Sequence, residues 1–195
     1  MAEVLSNPTL QSIFDRRSIR RFLPEPLTEA QLETLVQVAL ASPTARDRQA
    51  WHFSFVADPA LIAEIGDAAV ETFRRNGDQA VLDRLASRGG GLLYEAPLVV
   101  FLSCPGDEQD YKGLDCGIAV ENLAVAATSM GLGSCIIAMA RAAFQGESGA
   151  ALARRIGVPE GSSFAISIAV GRAAMDKDPH ARDRSKVTVL GPEAR

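Results

Sequence analysis

Apolar and polar positions along the chain follow two periods, and each change of period marks an element. Leu10, Ile13 and Phe14 share one face of a helix, with Asn7 placed as N-cap and Pro8 at its first position. Thr28 and Gln31 have capping-box spacing, and Leu32, Leu35, Val36, Ala39 and Leu40 form the stripe of a second helix that stops before Pro43. In "WHFSFVA" (51–57) the period drops to two, since Trp51, Phe53 and Phe55 alternate with His52 and Ser54, which predicts a strand. Asp58 and Pro59 restart a polar helical stretch that runs to "SRGGGLLYEAP", whose consecutive glycines predict a loop. "PLVVFLS" (97–103) is apolar enough for a fully buried strand. Residues 111–133 read as a long, almost wholly buried helix with an Ala-rich face for close packing, ended by Gly131 and Gly133. "SCIIA" suits a short strand or a turn, and "FAISIAVG" (164–171) a strand. The tail from Arg172 is polar apart from "KVTVL", a strand-like patch. No repeat or linker divides the chain, so the pattern predicts one α+β domain over residues 1–195.

Composition narrows the function classes. A chain of 195 residues can build one domain with a real core, and 47% apolar with 23% charged residues is ordinary globular composition. A net charge of −4 argues against a broadly basic nucleic-acid surface. Cys104, Cys116 and Cys135 form neither a disulfide framework nor a metal motif, so reduced thiols in a cytoplasmic setting are expected. His52 and His180 make no metal-ligand pair, and no metal is expected. The first residues lack the apolar core of a signal peptide, and no apolar run approaches the roughly 18 residues of a membrane span.

Against this acidic background, "FDRRSIRRF" (14–22) gathers Arg16, Arg17, Arg20 and Arg21. Guanidinium forks and the Ser18 hydroxyl match the oxygens of a compact dianion such as a phosphate monoester. A solvated turn whose arginines pair with Glu25 and Glu29 accounts for the same residues. "SPTARDRQAWHF" (42–53) offers backbone amides and side-chain acceptors to a planar polar ligand, or is an ordinary helix-to-strand connection. "MGLGSCIIA" (130–138) lets backbone approach something flat, or is a helix cap followed by a strand. It is not G-x-G-x-x-G after a strand, so a dinucleotide fold is not indicated. No G-x-S-x-G or other nucleophile system is present.

In this order and spacing, "RRSIRRF", "ASPTARDRQAWHF", "YEAPLVVFL", "DCGIAVENLAVAATSMGLGSC" and "ISIAVGRAAM" resemble the FMN-dependent nitroreductase family over most of the chain. The resemblance implies a central, mainly antiparallel sheet flanked by helices in an intertwined homodimer. The tail from about residue 172 would extend over the partner subunit. It implies FMN as cofactor, its phosphate gripped by Arg16, Ser18 and Arg20, with Arg17 near the ribityl chain and Arg21 a surface charge. Pro43, Thr44, Ala45 and Asp47 match a loop that reaches the flavin edge of the other subunit. The backbone at Ile136, Ile137 and Ala138 matches the segment facing the ring, where an amide meets N5. A tail arginine, Arg182 or Arg184, would close the phosphate site, and Arg88 is a further candidate near the pyrimidine.

The implied activity is ping-pong reduction of nitroaromatics, quinones or similar small acceptors by NADH or NADPH. The flavin carries the chemistry, so no catalytic side chain is assigned. The Ala-rich face of the 111–133 helix, with Ala119, Ala124, Ala126 and Ala127, is the expected dimer contact. Three positions depart from the family pattern: Asp47 stands in place of Asn, Ala50 of Pro and Arg172 of an aromatic. The alternatives are a dehalogenating or flavin-fragmenting relative and a flavin-binding protein with little turnover.

Overall fold

Capping chemistry starts the first three helices where the pattern places them, in a computed structural model that describes residues 4–89, 91–106 and 112–191. The Asn7 side chain accepts from Leu10 N at 2.9 Å, ahead of α1 (Pro8–Asp15). Before α2 (Glu29–Leu40), Gln31 N donates to Thr28 Oγ1 and Thr28 N donates to Gln31 Oε1, the reciprocal capping box. The Asp58 carboxylate accepts from the Ala60 and Leu61 amides at the head of α3 (Pro59–Asn76). The polar stretch that follows is two helices, because Gly77 takes a left-handed conformation (φ 74°) before α4 (Gln79–Ala86). Gly90 of the glycine run and Tyr111 at the expected start of the long helix lie outside the described residues.

The strands are β1 (His52–Val56), β2 (Leu98–Pro105), β3 (Gly133–Ile136) and β4 (Ser162–Gly171), in the order β1-β2-β4-β3 with every ladder antiparallel. "SCIIA" therefore opens with strand. The central pair, β2 and β4, is buried on both faces over most of its length, which explains their largely apolar sequence. One face, with Leu98, Val100, Leu102, Ile168 and Val170, packs on α2 and on α5 (Lys112–Ser129). The other, with Val99, Phe101 and Ala169, packs on α3 and the 3₁₀ segment Met139–Phe144. Each fully buried Leu or Ile in these layers stabilises the fold by about 1.5–3 kcal/mol.

Three expectations are corrected. The long helix is amphipathic rather than wholly buried: Leu114 and Ile118 are exposed. Its Ala119, Ala124 and Ala127 face inward with no exposure, so the Ala-rich side meets the chain's own sheet and α2 and is closed to a second subunit. "KVTVL" is not a strand. It follows a 3₁₀ turn at Arg184–Lys186, and Val187, Val189 and Leu190 are exposed, since no strand among the described residues pairs with them. Residues 139–161, for which the pattern predicts no element, contain the 3₁₀ segment and α6 (Gly146–Arg155), whose small residues give only a faint apolar stripe.

Candidate functional site

The arginine segment is laid along the free edge of the sheet. α1 ends at Asp15, and Arg16 turns the chain into an extended path. Ser18 bridges Ser134 of β3, Ile19 N donates to Ser134 O at 2.8 Å, and Phe22 bridges Ala173 just beyond β4. Ile19 and Phe22 are buried anchors that leave the intervening polar side chains at the edge. Gly133 is what lets the segment lie so close, because a Cβ there would fall 2.9 Å from Ile19 Cγ1. The Arg20 amide is tied to Met175 Sδ at 3.3 Å.

The guanidinium groups do not pair with Glu25 or Glu29. Arg16 meets Glu121 of α5 at 3.4 Å, and Arg17 donates to Phe14 O and Arg16 O at 2.6 and 2.9 Å. Arg21 donates to Ala174 O at the surface. Arg20 reaches only Ser18 O, at 3.3 Å, while its Nε is buried without a partner among the described residues. A buried N–H of a guanidinium is costly to leave unpaired, so this atom is an unfilled demand for an acceptor. Burial pushes the Cys135 thiol of β3 up from its ordinary value, while Arg20, Arg88 and Arg16 pull it down. Arg88 thus acts on the same thiol as Arg20 and Arg16. Arg182 stacks over the Phe14 ring at 4.8 Å, which sets it beside α1. Arg184 instead donates to Val187 O within the exposed tail, and the two tail candidates part here.

The second element, residues 43–47, is held by α5. Ala45 N donates to Asp115 Oδ1 at 3.1 Å, and Asn122 Nδ2 donates to Ser42 Oγ at 3.0 Å. Asp115 is buried, so its carboxylate is committed to this loop. Arg46, Asp47 and Gln49 all have positive φ (58°, 52° and 46°). Left-handed backbone at three non-glycine positions costs free energy and persists only where surroundings impose it, a pattern that clusters at functional sites. Thr44 Oγ1 accepts from Gln49 N, and Asp47 Oδ1 accepts from Gln49 Nε2 at 2.8 Å, which closes the turn on itself. Asp47 is exposed at the tip, and Pro43 leads into the turn at the surface.

The third element follows β3. Ile137 is held at both backbone groups by Ser167: its N donates to Ser167 O and its carbonyl accepts from Ser167 Oγ, each at 2.8 Å. The Ile137 amide is thus closed to a ligand, and its side chain belongs to the core. Ile136 ends the strand and pairs with Ile168. Ala138 is exposed and its amide has no partner among the described residues, so, unlike that of Ile137, it is a free donor. Sequence reasoning missed the positioning residues Asp115, Asn122, Ser167 and Met175. Asp115, Asn122 and Ser167 were signalled as polar positions inside otherwise apolar runs. No group of three or more potential metal ligands occurs among the described residues.

A sequence profile described as the Nitroreductase family matches residues 13–172. The chain is 27% identical over 128 residues to a putative NADH dehydrogenase/NAD(P)H nitroreductase of Methanothermobacter thermautotrophicus, covering 64% of this chain and 58% of that protein. It is 27% identical to the NADPH-flavin oxidoreductase of Vibrio harveyi over 94% of this chain and 72% of that one. Its fold superposes on a crystal structure of a nitroreductase with bound FMN from Desulfitobacterium hafniense with a TM-score of 0.92 at 30% identity, covering 96% of this chain and 100% of the other.

Proposed function

The chain belongs to the nitroreductase family, and on that footing we propose that it is an FMN-dependent NAD(P)H oxidoreductase. The observation that carries the reading is the unpartnered, buried Arg20 Nε inside a cluster of arginines that have left Glu25 and Glu29 aside. The residues present fit FMN. Arg16, Ser18 and Arg20 would hold the phosphate, with Arg17 near the ribityl chain and Arg182 over α1 as the tail residue beside them. The free Ala138 amide is the donor for the ring nitrogen, and Ser167 serves it by fixing Ile137 one residue earlier. When bound, FMN supplies hydride transfer, taken from NADH or NADPH and passed to a nitroaromatic, quinone or similar acceptor in a ping-pong cycle.

The reading includes a homodimer in the cytoplasm. The strained 43–47 turn points its polar tip outward, where a second copy would present its own flavin edge to Thr44 and Asp47. With Ala119, Ala124 and Ala127 buried and Ala126 partly so, exposed Ile13, Leu114 and Ile118 on the neighbouring helices α1 and α5 are the apolar surface for that contact. The exposed tail residues Val187, Val189 and Leu190 would find cover on the partner. A second reading, flavin binding with little turnover, is favoured by Asp47, whose carboxylate would oppose negative charge on a reduced ring.

Cofactor identity and turnover separate these readings. The purified protein should be yellow and release FMN, not FAD, on denaturation. Rapid bleaching of the flavin band by NADH or NADPH in stopped flow supports the reductase, and slow bleaching supports the second reading. Colourless protein that takes up no added FMN defeats both.

A further inference from the structure

The four arginines of the 14–22 stretch are held in unlike ways. Arg17 is bound to two main-chain carbonyls, Phe14 O and Arg16 O, and Arg21 to a third, Ala174 O. Arg20 has one long bond to Ser18 O. Among the described residues only Arg16 of the four is held by an anion: its Nε stands 3.4 Å from Glu121 Oε1. The contact forms because α1 packs on α5, which brings the mid-helix Glu121 to the point where α1 ends and the arginine segment begins. A carboxylate offers a guanidinium the same kind of oxygen acceptors as a phosphate does. The pair is no structural anchor, since the two side chains are 24% and 49% exposed and an ion pair so placed contributes little to stability. It is close enough to occupy Arg16 and weak enough to release it.

We propose that Glu121 is a built-in competitor of the cofactor's phosphate: it occupies Arg16 in the flavin-free protein and gives the guanidinium up when the phosphate enters. The inference rests on the FMN reading and adds to it a residue that acts through Arg16 and stands outside the cradle itself. The sign of the effect follows from charge. A guanidinium already paired with a carboxylate attracts a dianion less than a free one does, and the pairing must be broken or shared before the phosphate is fully held. Glu121 therefore lowers FMN affinity, and only for ligands that carry the phosphate. Asn122, the next residue of α5, has a separate task on Ser42, so the charge at Glu121 can be removed without altering the side chains that hold the 43–47 turn.

The test is Glu121→Gln, which keeps the length of the side chain and removes its charge. Fluorescence titration of the flavin-free chain should show FMN bound about 1.5- to 5-fold more tightly than by the wild type, the range that one exposed ion pair allows. Riboflavin affinity should not change. In an Arg16→Met background the same substitution should bring no gain, because the carboxylate then has no guanidinium to withhold. An FMN affinity that is unchanged or lower in Glu121→Gln overturns the inference, since Glu121 would then be a bystander or a support for Arg16. So does a gain shared equally by riboflavin, which would place the effect at the ring or in the fold. A gain that survives in Arg16→Met overturns it as well, as plain repulsion at a distance. These three results leave the FMN reading standing, whereas a wild-type chain that binds no FMN defeats that reading and the inference together.

Discussion

Replacing Arg20 with Met keeps most of the aliphatic stem and deletes the guanidinium, and the structure predicts effects of opposite sign on the free and the liganded protein. Without ligand, Arg20 Nε is buried and unpartnered and Nη1 makes one long bond, 3.3 Å to Ser18 O. An unpaired buried donor costs about 1–3 kcal/mol, and a single weak hydrogen bond returns about 0.5–1.5 kcal/mol. The variant should therefore be more stable as the apoprotein by about 1 kcal/mol, a rise in melting temperature of about 2–4 °C for a chain of this size. FMN binding should move the other way. Losing a charge-assisted hydrogen bond of about 1.5–3 kcal/mol weakens the complex about 10- to 150-fold. Riboflavin, which has no phosphate, should bind both proteins equally. The assays are calorimetric melting of the apoprotein at one fixed protein concentration and fluorescence titration with FMN and riboflavin. A lower apoprotein melting temperature, or riboflavin affinity falling as far as that of FMN, would show that Arg20 is a structural residue.

Gly133→Ala should destabilise the protein by about 1–3 kcal/mol, because the new Cβ meets Ile19 Cγ1 at 2.9 Å and pushes the arginine segment off β3; urea unfolding and FMN content should fall together. Asp47→Asn should raise the flavin midpoint potential by removing a negative charge from the loop tip, and an unchanged or lower potential would mean that the carboxylate does not face a ring. The thiols should be inert in the native state: burial first and then the Cys104 thiol push Cys116 up to about 12, and burial pushes Cys135 up as well. A thiol-disulfide reagent at pH 8 should release less than one equivalent from the folded chain while the urea-unfolded chain releases all three. The same shift has a stability consequence. The raised folded-state pKa of Cys116 contributes stability that is fully present below the unfolded value of about 8.5 and is lost as pH rises through about 12, so urea midpoints should decline on that side.

Local chemistry was legible in the sequence because it acts over a few residues. The Asn7, Thr28 and Asp58 caps, the alternation in β1 and the largely apolar runs of β2 and β4 each follow from side chains within one turn or one strand. The arginine cluster was legible as an excess of charge needing an acceptor, and the order of the motifs pointed to the family. The sequence could not show where those motifs meet. The arginine segment meets Ser134 and Ala173, more than a hundred positions away, only because it lies along the β3 edge. The choice of Ala138 over Ile137 as the free amide rests on Ser167, which lies about thirty positions away and reaches Ile137 only through the pairing of β3 with β4. Which side of α5 is available also depends on tertiary structure. Alanines suit close packing against any neighbour, and it is the docking of α5 on its own sheet that spends Ala119, Ala124 and Ala127 inside the chain and leaves Leu114 and Ile118 outside. The extra residue that Ala165 makes in β4 opposite β2 is equally invisible in the pattern of "SFAISIAVG", since a bulge is a mismatch between two strands and exists only once both are paired.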